Sequence, residues 1–452
     1  MRENFGSRFA IVVALAGSAI GLGNLWRFPY MMGEHGGATF ILVYIIATAL
    51  VSLPVFVAEI IIGRRSGVNA RQSMRALAPG NKFWSSLGVF FVLVPTMIAS
   101  YYSVIGGWSM DYFFKAFTTS FTPESADAIQ GEFGTFISSA WRPVVFHLIF
   151  LLANCVIVAL GVKSGIEKFC KIGIPLLFVL TVVITIYSLS LPGSWKGVDY
   201  LLRPSLSEFK PSTLAYAMGQ SFYSLSLGMG IIITYGSYMK KQENIFTTSA
   251  ITAVSDLSYA LLAGLAIMPA VFAAGMEPGA GPGLIFQSLP YIFCSMGSIS
   301  PLLSAVIAGL FFLTVTVAAM TSCISLIEVG TAYLFENFRM DRQLASAILF
   351  IICGGLGILC SLSFGPLSGI TLMGMNLFEI FDWTASNIFL ISIALLCAFF
   401  VGWKMDKSVV RDEFTNNGTL KGAQKAFPVF YFLIRWVAPV ALILIFITNF
   451  IL

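Results

Sequence analysis

Gly17-Ser18-Ala19-Ile20-Gly21-Leu22-Gly23-Asn24 lies in the middle of the first apolar run of the chain. Three glycines and an asparagine within eight residues weaken a helix, because glycine has the most backbone entropy to lose and asparagine competes for backbone hydrogen bonds. Such a stretch also reads as close helix packing through small residues. A second interruption, Ser224-Leu225-Ser226-Leu227-Gly228-Met229-Gly230, falls in the sixth apolar run. Breaks five spans apart, in corresponding places, point to an inverted-repeat transporter with its site between the halves. Unpaired backbone groups at such depth are tolerated only around a water-lined or ligand-lined cavity.

The surroundings of these breaks are those of a membrane. The 452 residues are 58% hydrophobic and 10% charged, with a mean hydropathy of +0.88. A water-soluble chain carries roughly 25% charged residues. Cytosolic, secreted and nucleic-acid-binding proteins are excluded, as is a single-anchor protein, because the apolar runs continue from residue 9 to residue 452. The fold class is all-α integral membrane. About 20 apolar residues cross a bilayer as a helix, and eleven stretches qualify: 9–31, 37–62, 84–115, 143–161, 166–191, 212–238, 246–275, 302–335, 344–362, 373–402 and 427–451. Continuous rather than alternating runs argue against barrel strands. The N-terminus lacks the pattern of a cleaved signal peptide.

With the N-terminus inside, nineteen of the 26 Lys and Arg residues fall in cytoplasmic segments and five in outer ones, with Arg27 and Arg435 inside spans. Basic residues favour the cytoplasm. An odd span count then places the C-terminus outside. Between spans seven and eight, the apolar piece 284–293 is too short to cross and is expected as an outer loop dipping back towards the centre. The seven cysteines form no CxxC pair, and the two histidines, His35 and His147, are too few for a histidine metal centre. No HExxH or nucleophile elbow is present, so no enzyme is expected.

Asn24-Leu25-Trp26-Arg27-Phe28-Pro29-Tyr30, preceded by Gly21-Leu22-Gly23, resembles the signature of the neurotransmitter:sodium symporter family. Ser100-Tyr101-Tyr102, 220–235, 275–284 and Ala318-Ala319-Met320-Thr321-Ser322 extend the resemblance nearly end to end. It is similar to the bacterial members of that family, and its eleven spans resemble those of several bacterial amino-acid transporters in it. The resemblance implies one transmembrane domain, 1–452. Two inverted five-helix repeats, spans 1–5 (9–191) and 6–10 (212–402), would carry broken helices 1 and 6, with 427–451 as an extra helix.

The resemblance also implies two sodium sites. The first would use the Ala19 carbonyl, Asn24, Ser224 and Asp256; many relatives have Asn in place of Asp256, and the alignment there needs a one-residue gap. The second would use the Gly17, Ile20 and Ala318 carbonyls with the Thr321 and Ser322 hydroxyls. Thr321 and Ser322 alone could equally bond back to their own helix. The substrate carboxylate would lie near the Leu22 and Gly23 amides and the Tyr102 hydroxyl. Ser18, Ala19, Ile98, Tyr223, Ser224, Ser226, Met229, Ser322 and Leu326 would complete the substrate site. Amine-transporting relatives carry Asp at the position of Gly21; glycine implies that the substrate brings its own carboxylate, as an amino acid does. The mostly apolar wall implies a neutral, hydrophobic or aromatic side chain. Asp256 would supply a fixed negative charge, so chloride is not expected to be required; a plain protonated Asp is the alternative.

Charges inside spans are costly and usually functional. The resemblance makes Arg27 and Asp382 an outer gate, although a permanent ion pair fits the same residues. Arg2 and Glu336, with Tyr238, would form the inner gate, or Arg2 is one more cytoplasmic positive charge. Glu59, Asp111 and Glu328 carry no assigned role. Gly165 and Pro175 in span five mark either a point of unwinding or a static kink. The expected function is sodium-coupled import of a neutral amino acid across the bacterial inner membrane by alternating access. The expected partners are that substrate, sodium and the lipid bilayer, with no nucleic acid and no obligate protein partner. A proton-coupled amino-acid transporter and a non-transporting membrane sensor are the competing readings.

Overall fold

The computed structural model describes residues 4–118, 126–205, 209–276, 284–290, 292–293 and 300–451. Among these residues the secondary structure is helical, apart from one isolated bridge between Leu372 and Met375. The first span is α1 (Arg8–Ala19) and α2 (Gly23–Glu34), bent by 49°. Seven helices of the bundle follow as α3 (Ala38–Ser66), α4 (Ala70–Leu77), α5 (Lys82–Thr118), α6 (Ala126–Ser138), α7 (Arg142–Ala159), α8 (Val162–Ser190) and α9 (Trp195–Leu202). The sixth expected span is two pieces, α10 (Pro211–Ser224) and α11 (Ile231–Ser237). The remainder is α12 (Ile245–Ala273), α13 (Pro301–Phe338), α14 (Arg342–Leu362), α15 (Leu377–Lys404), α16 (Lys407–Thr415) and α17 (Lys421–Asn449).

Nine described helices are long and apolar enough to cross a membrane, or ten with α1 and α2 counted as one span. The eleven-span expectation differs because the sixth run is divided into two helices too short to qualify alone. Span ten begins at Leu377 rather than 373, because Met373 and Gly374 turn the chain with φ of 55° and 80° and Asn376 caps the helix. The Gly165–Pro175 segment is continuous helix from Val162 to Ser190. A methyl group on Gly165 would sit 1.9 Å from the Ile157 carbonyl oxygen, so the glycine serves close packing of α8 on α7 in this conformation. Of the 276–300 loop, Leu284–Ser288 forms one π-helical turn that buries Phe286 against Trp26, Trp108, Tyr112 and Phe133.

Helix starts follow the sequence closely. Ser7, Asn69, Asn244 and Asn376 each accept a hydrogen bond from an amide one turn into the helix they precede. These bonds satisfy donors that a helix N-terminus otherwise leaves unpaired. The core runs through α1, α5, α12 and α13 around the two breaks. Apolar side chains such as Ile172, Val179 and Ile186 on α8, or Val429 and Val440 on α17, are exposed on the outside of the bundle, where lipid replaces water.

Candidate functional site

Each break is stabilised by groups from elsewhere in the chain. At the first, Ile20 is extended (φ −76°, ψ 99°), and the helix resumes at Gly23. At the second, Ser226, Gly228 and Gly230 all have positive φ. Two of these three are glycine, which takes that conformation without steric penalty. Added methyl groups would lie 2.4 Å from the Leu390 carbonyl at Gly228 and 2.7 Å from the Phe91 carbonyl at Gly230. Ser226 is the strained exception, and its hydroxyl donates to the Ser18 carbonyl at 2.7 Å, linking the two breaks. The Gly228 amide donates to Glu59 at 2.8 Å, and the Gln220 amide donates to the Gly23 carbonyl at 2.9 Å. In a membrane interior such side-chain partners stand in for water.

Three of the four residues expected for the first sodium meet in one buried cluster. Asn24 Nδ2 donates to Asp256 Oδ1 at 2.8 Å and lies 3.2 Å from Ser224 Oγ. Ser224 Oγ donates to the Asp256 carboxylate at 2.8 and 3.0 Å. Tyr44, which the sequence reading did not single out, donates to Asp256 Oδ2 at 3.1 Å. Asn24 Oδ1 accepts from the Gly21 amide at 3.2 Å. Asn24, Asp256 and Tyr44 have no exposed surface. Ala19 lies on the neighbouring cavity wall. One carboxylate with amide, hydroxyl and carbonyl oxygens is a donor set suited to a hard cation.

The second expected set is brought together in part. Thr321 Oγ1 donates to the Ala318 carbonyl at 2.8 Å and stands 3.1 Å from the Ile20 carbonyl. A methyl on Gly17 would lie 3.6 Å from Thr321 Cβ. Ser322, expected at both the second ion and the substrate site, has its hydroxyl 3.3 Å from the Ser18 carbonyl and lies on the wall of a neighbouring cavity. One residue further along a helix turns a side chain by about 100°, which separates Ser322 from Thr321.

Ser18, Ala19, Gly23, Ile98, Tyr102, Tyr223, Ser226, Met229, Ser322 and Leu326 line one enclosed cavity, together with Gly21 and Ile231. Its volume is about 20 Å³, room for roughly one water. Leu22 is not on this wall. Its amide donates to the Tyr102 hydroxyl at 3.2 Å, and its side chain faces the vestibule above. Gly21 has no space for a side chain: an added methyl would lie 2.2 Å from Ser322 Oγ and 3.0 Å from Tyr102 Oη.

Above this cavity is a vestibule of about 660 Å³ whose lining includes Arg27, Tyr30, Tyr101, Tyr223 and Asp382. Arg27 and Asp382 are not within 4.0 Å of each other, so the expected outer pair is open here. The Arg27 guanidinium lies over the Tyr223 ring at 4.7 Å instead, and Ser386 Oγ is 3.5 Å from Asp382 Oδ1. On the opposite side several contacts join the helices. Glu336 accepts from the Asn69 amide and side chain at 3.0 and 2.9 Å; Arg2, its expected partner, lies outside the described residues. Tyr238 donates to Glu328 at 2.6 Å, Arg342 is paired with the same carboxylate, and Phe5 packs edge-on against Tyr235 and Tyr238. Glu328, unassigned from sequence, thus joins Tyr238 to Arg342. Asp111 bonds Arg142 at 2.7 Å and Lys115 at 3.4 Å on the outer side. Among acids in spans, Glu59 was visible in the sequence, but its contact to Gly228 lies 169 residues away.

A family model described as the sodium:neurotransmitter symporter family matches residues 2–131 and 139–452. An uncharacterized sodium-dependent transporter of Bacillus subtilis (strain 168), YhdH, is 35% identical over 441 residues, spanning 97% of this chain and 96% of its own length. A bovine sodium- and chloride-dependent GABA transporter 2 is 26% identical over 452 residues, covering 89% of this chain and 73% of its own. The crystal structure of MhsT in complex with L-phenylalanine superposes with a TM-score of 0.89 at 38% identity, covering 99% of this chain and 100% of that one. The chain belongs to the sodium:neurotransmitter symporter family, whose members are multi-pass sodium-dependent transporters rather than enzymes.

Proposed function

We propose that the protein is a symporter that uses sodium to import a neutral, hydrophobic or aromatic amino acid by alternating access. The observation that carries this reading is Gly21. Ser322 and Tyr102 fill the space a side chain at position 21 would need, so no acidic group can be built there to meet a substrate amine. The substrate must therefore bring a carboxylate, which the Tyr102 hydroxyl and the amides at the first break are disposed to bind. Free amides at a half-helix N-terminus favour such an anion. The phenylalanine held by the similar MhsT structure is in keeping with the apolar wall of Ile98, Met229 and Leu326. Admitting such a side chain requires the 20 Å³ cavity to widen.

The first ion would take Asn24, Ser224, Asp256 and the Ala19 carbonyl as ligands. The second would take Thr321 and the Gly17, Ile20 and Ala318 carbonyls, with Ser322 left to the cavity wall. For the first, the Asn24 amide would have to turn its oxygen inward, exchanging its present bond to Asp256 for the cation. Asp256 supplies the balancing charge, so uptake is proposed to be independent of chloride, unlike the chloride dependence printed in the name of the bovine relative. We further propose eleven spans in two inverted repeats plus a final helix, with the N-terminus inside. On this reading the vestibule beside Arg27 and Asp382 faces outside, and the side held by Phe5, Tyr238 and Glu328 faces the cytoplasm. Differential binding of ions and substrate to such states shifts their populations.

The test is uptake of labelled neutral amino acids into proteoliposomes, with and without an inward sodium gradient. Sodium-driven accumulation that is lost in Asn24→Ala and needs more sodium in Thr321→Ala supports the proposal. Equal uptake without sodium, rising at low pH, moves the reading to proton coupling. Binding without accumulation under either gradient moves it to a sensor.

A further inference from the structure

A second large cleft lies away from the transport path, between α16 and the first half of α17. It encloses about 960 Å³, and its lining includes Lys407, Arg411, Arg435, Tyr431 and Trp436. Asp412 is the lining carboxylate. Three cations against one acid leave the cleft positive by two charges. Lys407 and Arg411 are exposed.

Arg435 is the informative residue. It lies within the last expected span, 427–451, towards its tryptophan-bearing end, where a charge needs a partner or a headgroup. Among the described residues no carboxylate lies within 4.0 Å of it, and its Nε atom is buried with no hydrogen-bond partner. Its neighbours are aromatic: the guanidinium lies 4.4 Å from the Trp403 ring centre, 5.7 Å from Trp436 and 5.8 Å from Tyr431. Trp403 and Trp436 stack edge-on at 4.8 Å. Tryptophan pairs of this kind mark the level of lipid headgroups. Lys407 lies 5.1 Å from the Tyr431 ring centre.

From this cleft an apolar stripe runs along α17. Val429, Phe432, Trp436, Val440, Ile443 and Ile447 are exposed and recur every three or four residues, so they share one helix face. A positive, hydroxyl- and amide-lined pocket at headgroup level, continued by an apolar face the length of a span, has the shape of a phospholipid. We infer that this cleft binds an anionic glycerophospholipid, with its phosphate held by Lys407, Arg411 and Arg435 and an acyl chain lying on the α17 stripe. Basic pockets beside transmembrane helices recognise such headgroups by this chemistry. The apolar stripe selects the lipid over a free phosphate ion. The same pairing forms whichever leaflet the cleft faces, so the result is independent of the proposed orientation and of the transported substrate.

The experiment is native mass spectrometry of the full-length detergent-purified protein, offered phosphatidylglycerol and phosphatidylcholine in equal amounts. Wild-type protein is expected to retain phosphatidylglycerol in excess. Each charge removed should lower that retention about fivefold, so Lys407→Gln with Arg411→Gln, both exposed and safe for folding, should lower it about 25-fold. Arg435→Gln should lower it about fivefold, and Arg435→Lys should hold it within about threefold of wild type. Lys168→Gln, also exposed but outside the cleft, should leave it unchanged. Equal retention of the two lipids by wild type, or unchanged retention in the double variant, would overturn the inference. Complete displacement of phosphatidylglycerol by millimolar inorganic phosphate would also overturn it, assigning the cleft to a free anion.

Discussion

The two oxygen clusters at the breaks differ in charge and in connectivity. Around Asp256, one carboxyl group is held by Asn24, Ser224 and Tyr44 from three other helices. Around Thr321, the partners are neutral: a hydroxyl between the Ile20 and Ala318 carbonyls. A buried carboxylate needs a counter-charge, whereas carbonyls and hydroxyls can satisfy one another. On the proposed reading, the first cluster is therefore the strong, substrate-linked ion site and the second the weaker one that can release. A sodium ion touching both Asp256 and the substrate carboxylate would couple the two binding events by an equal factor in each direction.

The largest expected effect breaks the frame on which both clusters stand. Gly21→Ala places a methyl 2.2 Å from Ser322 Oγ and 3.0 Å from Tyr102 Oη. Uptake should fall by up to about 150-fold, because overpacking, at the upper end about 3 kcal/mol, falls directly on the carboxylate-binding groups. The measurement is initial uptake at saturating sodium, beside the thermal unfolding midpoint of the purified protein. Near-normal uptake would remove the glycine from the substrate reading.

Next is the charge itself. Asp256→Asn keeps the size of the side chain and removes the negative charge. Losing one partner of a buried charged contact costs about 3 kcal/mol, so the sodium concentration for half-maximal uptake should rise about 100-fold. The remaining uptake should become chloride-dependent, read by replacing chloride with gluconate. Asp256→Asn transport that is as strong as wild type in gluconate would end the fixed-charge proposal. A smaller change is expected at the neutral cluster. Thr321→Ala removes one hydroxyl ligand, worth about 1.5 kcal/mol, and should raise the same sodium requirement about tenfold. Thr321→Ser restores the hydroxyl and should stay within about threefold. If Thr321→Ala proves more damaging than Asp256→Asn, the ranking of the two clusters reverses.

Much of this arrangement was legible in the amino-acid sequence for a local reason. Glycines, Asn24 and the Ser226–Gly230 stretch mark breaks by their own conformational preferences. Continuous apolar runs mark spans by composition. What was not legible depends on distance along the chain. Tyr44 reaches Asp256 across 212 residues and Glu59 reaches Gly228 across 169; nothing near either residue announces the partner. Thr321 and Ser322 are adjacent in sequence, yet the helix turns one to the Ile20 carbonyl and the other to the cavity. The open separation of Arg27 and Asp382 is a property of one conformation, and an ion-pair pattern in sequence is silent on which conformation is adopted.

A charged network outside both clusters provides the smallest expected effect on transport. Glu413, on α16, bonds Arg64 at 2.8 Å and Lys241 at 3.0 Å. Burial pushes its carboxyl up, but Arg64 and Lys241 outweigh this and hold it below the ordinary carboxylate value. A carboxyl whose folded-state value is lowered adds stability that is complete above the unfolded value, about 4.3, and is lost as pH falls through the folded one. Wild-type protein should therefore lose thermal stability as pH is lowered from 5 towards 3.5. Glu413→Gln should be less stable at pH 7, because Arg64 is left buried with a neutral partner, and its stability should fall less steeply over that acid range. Sodium affinity of the variant that still folds should stay within about twofold of wild type, since neither cluster touches α16. If Glu413→Gln shifted sodium affinity as much as Thr321→Ala does, this charged network would be coupled to the second cluster, and the two clusters could no longer be ranked by their local charge alone.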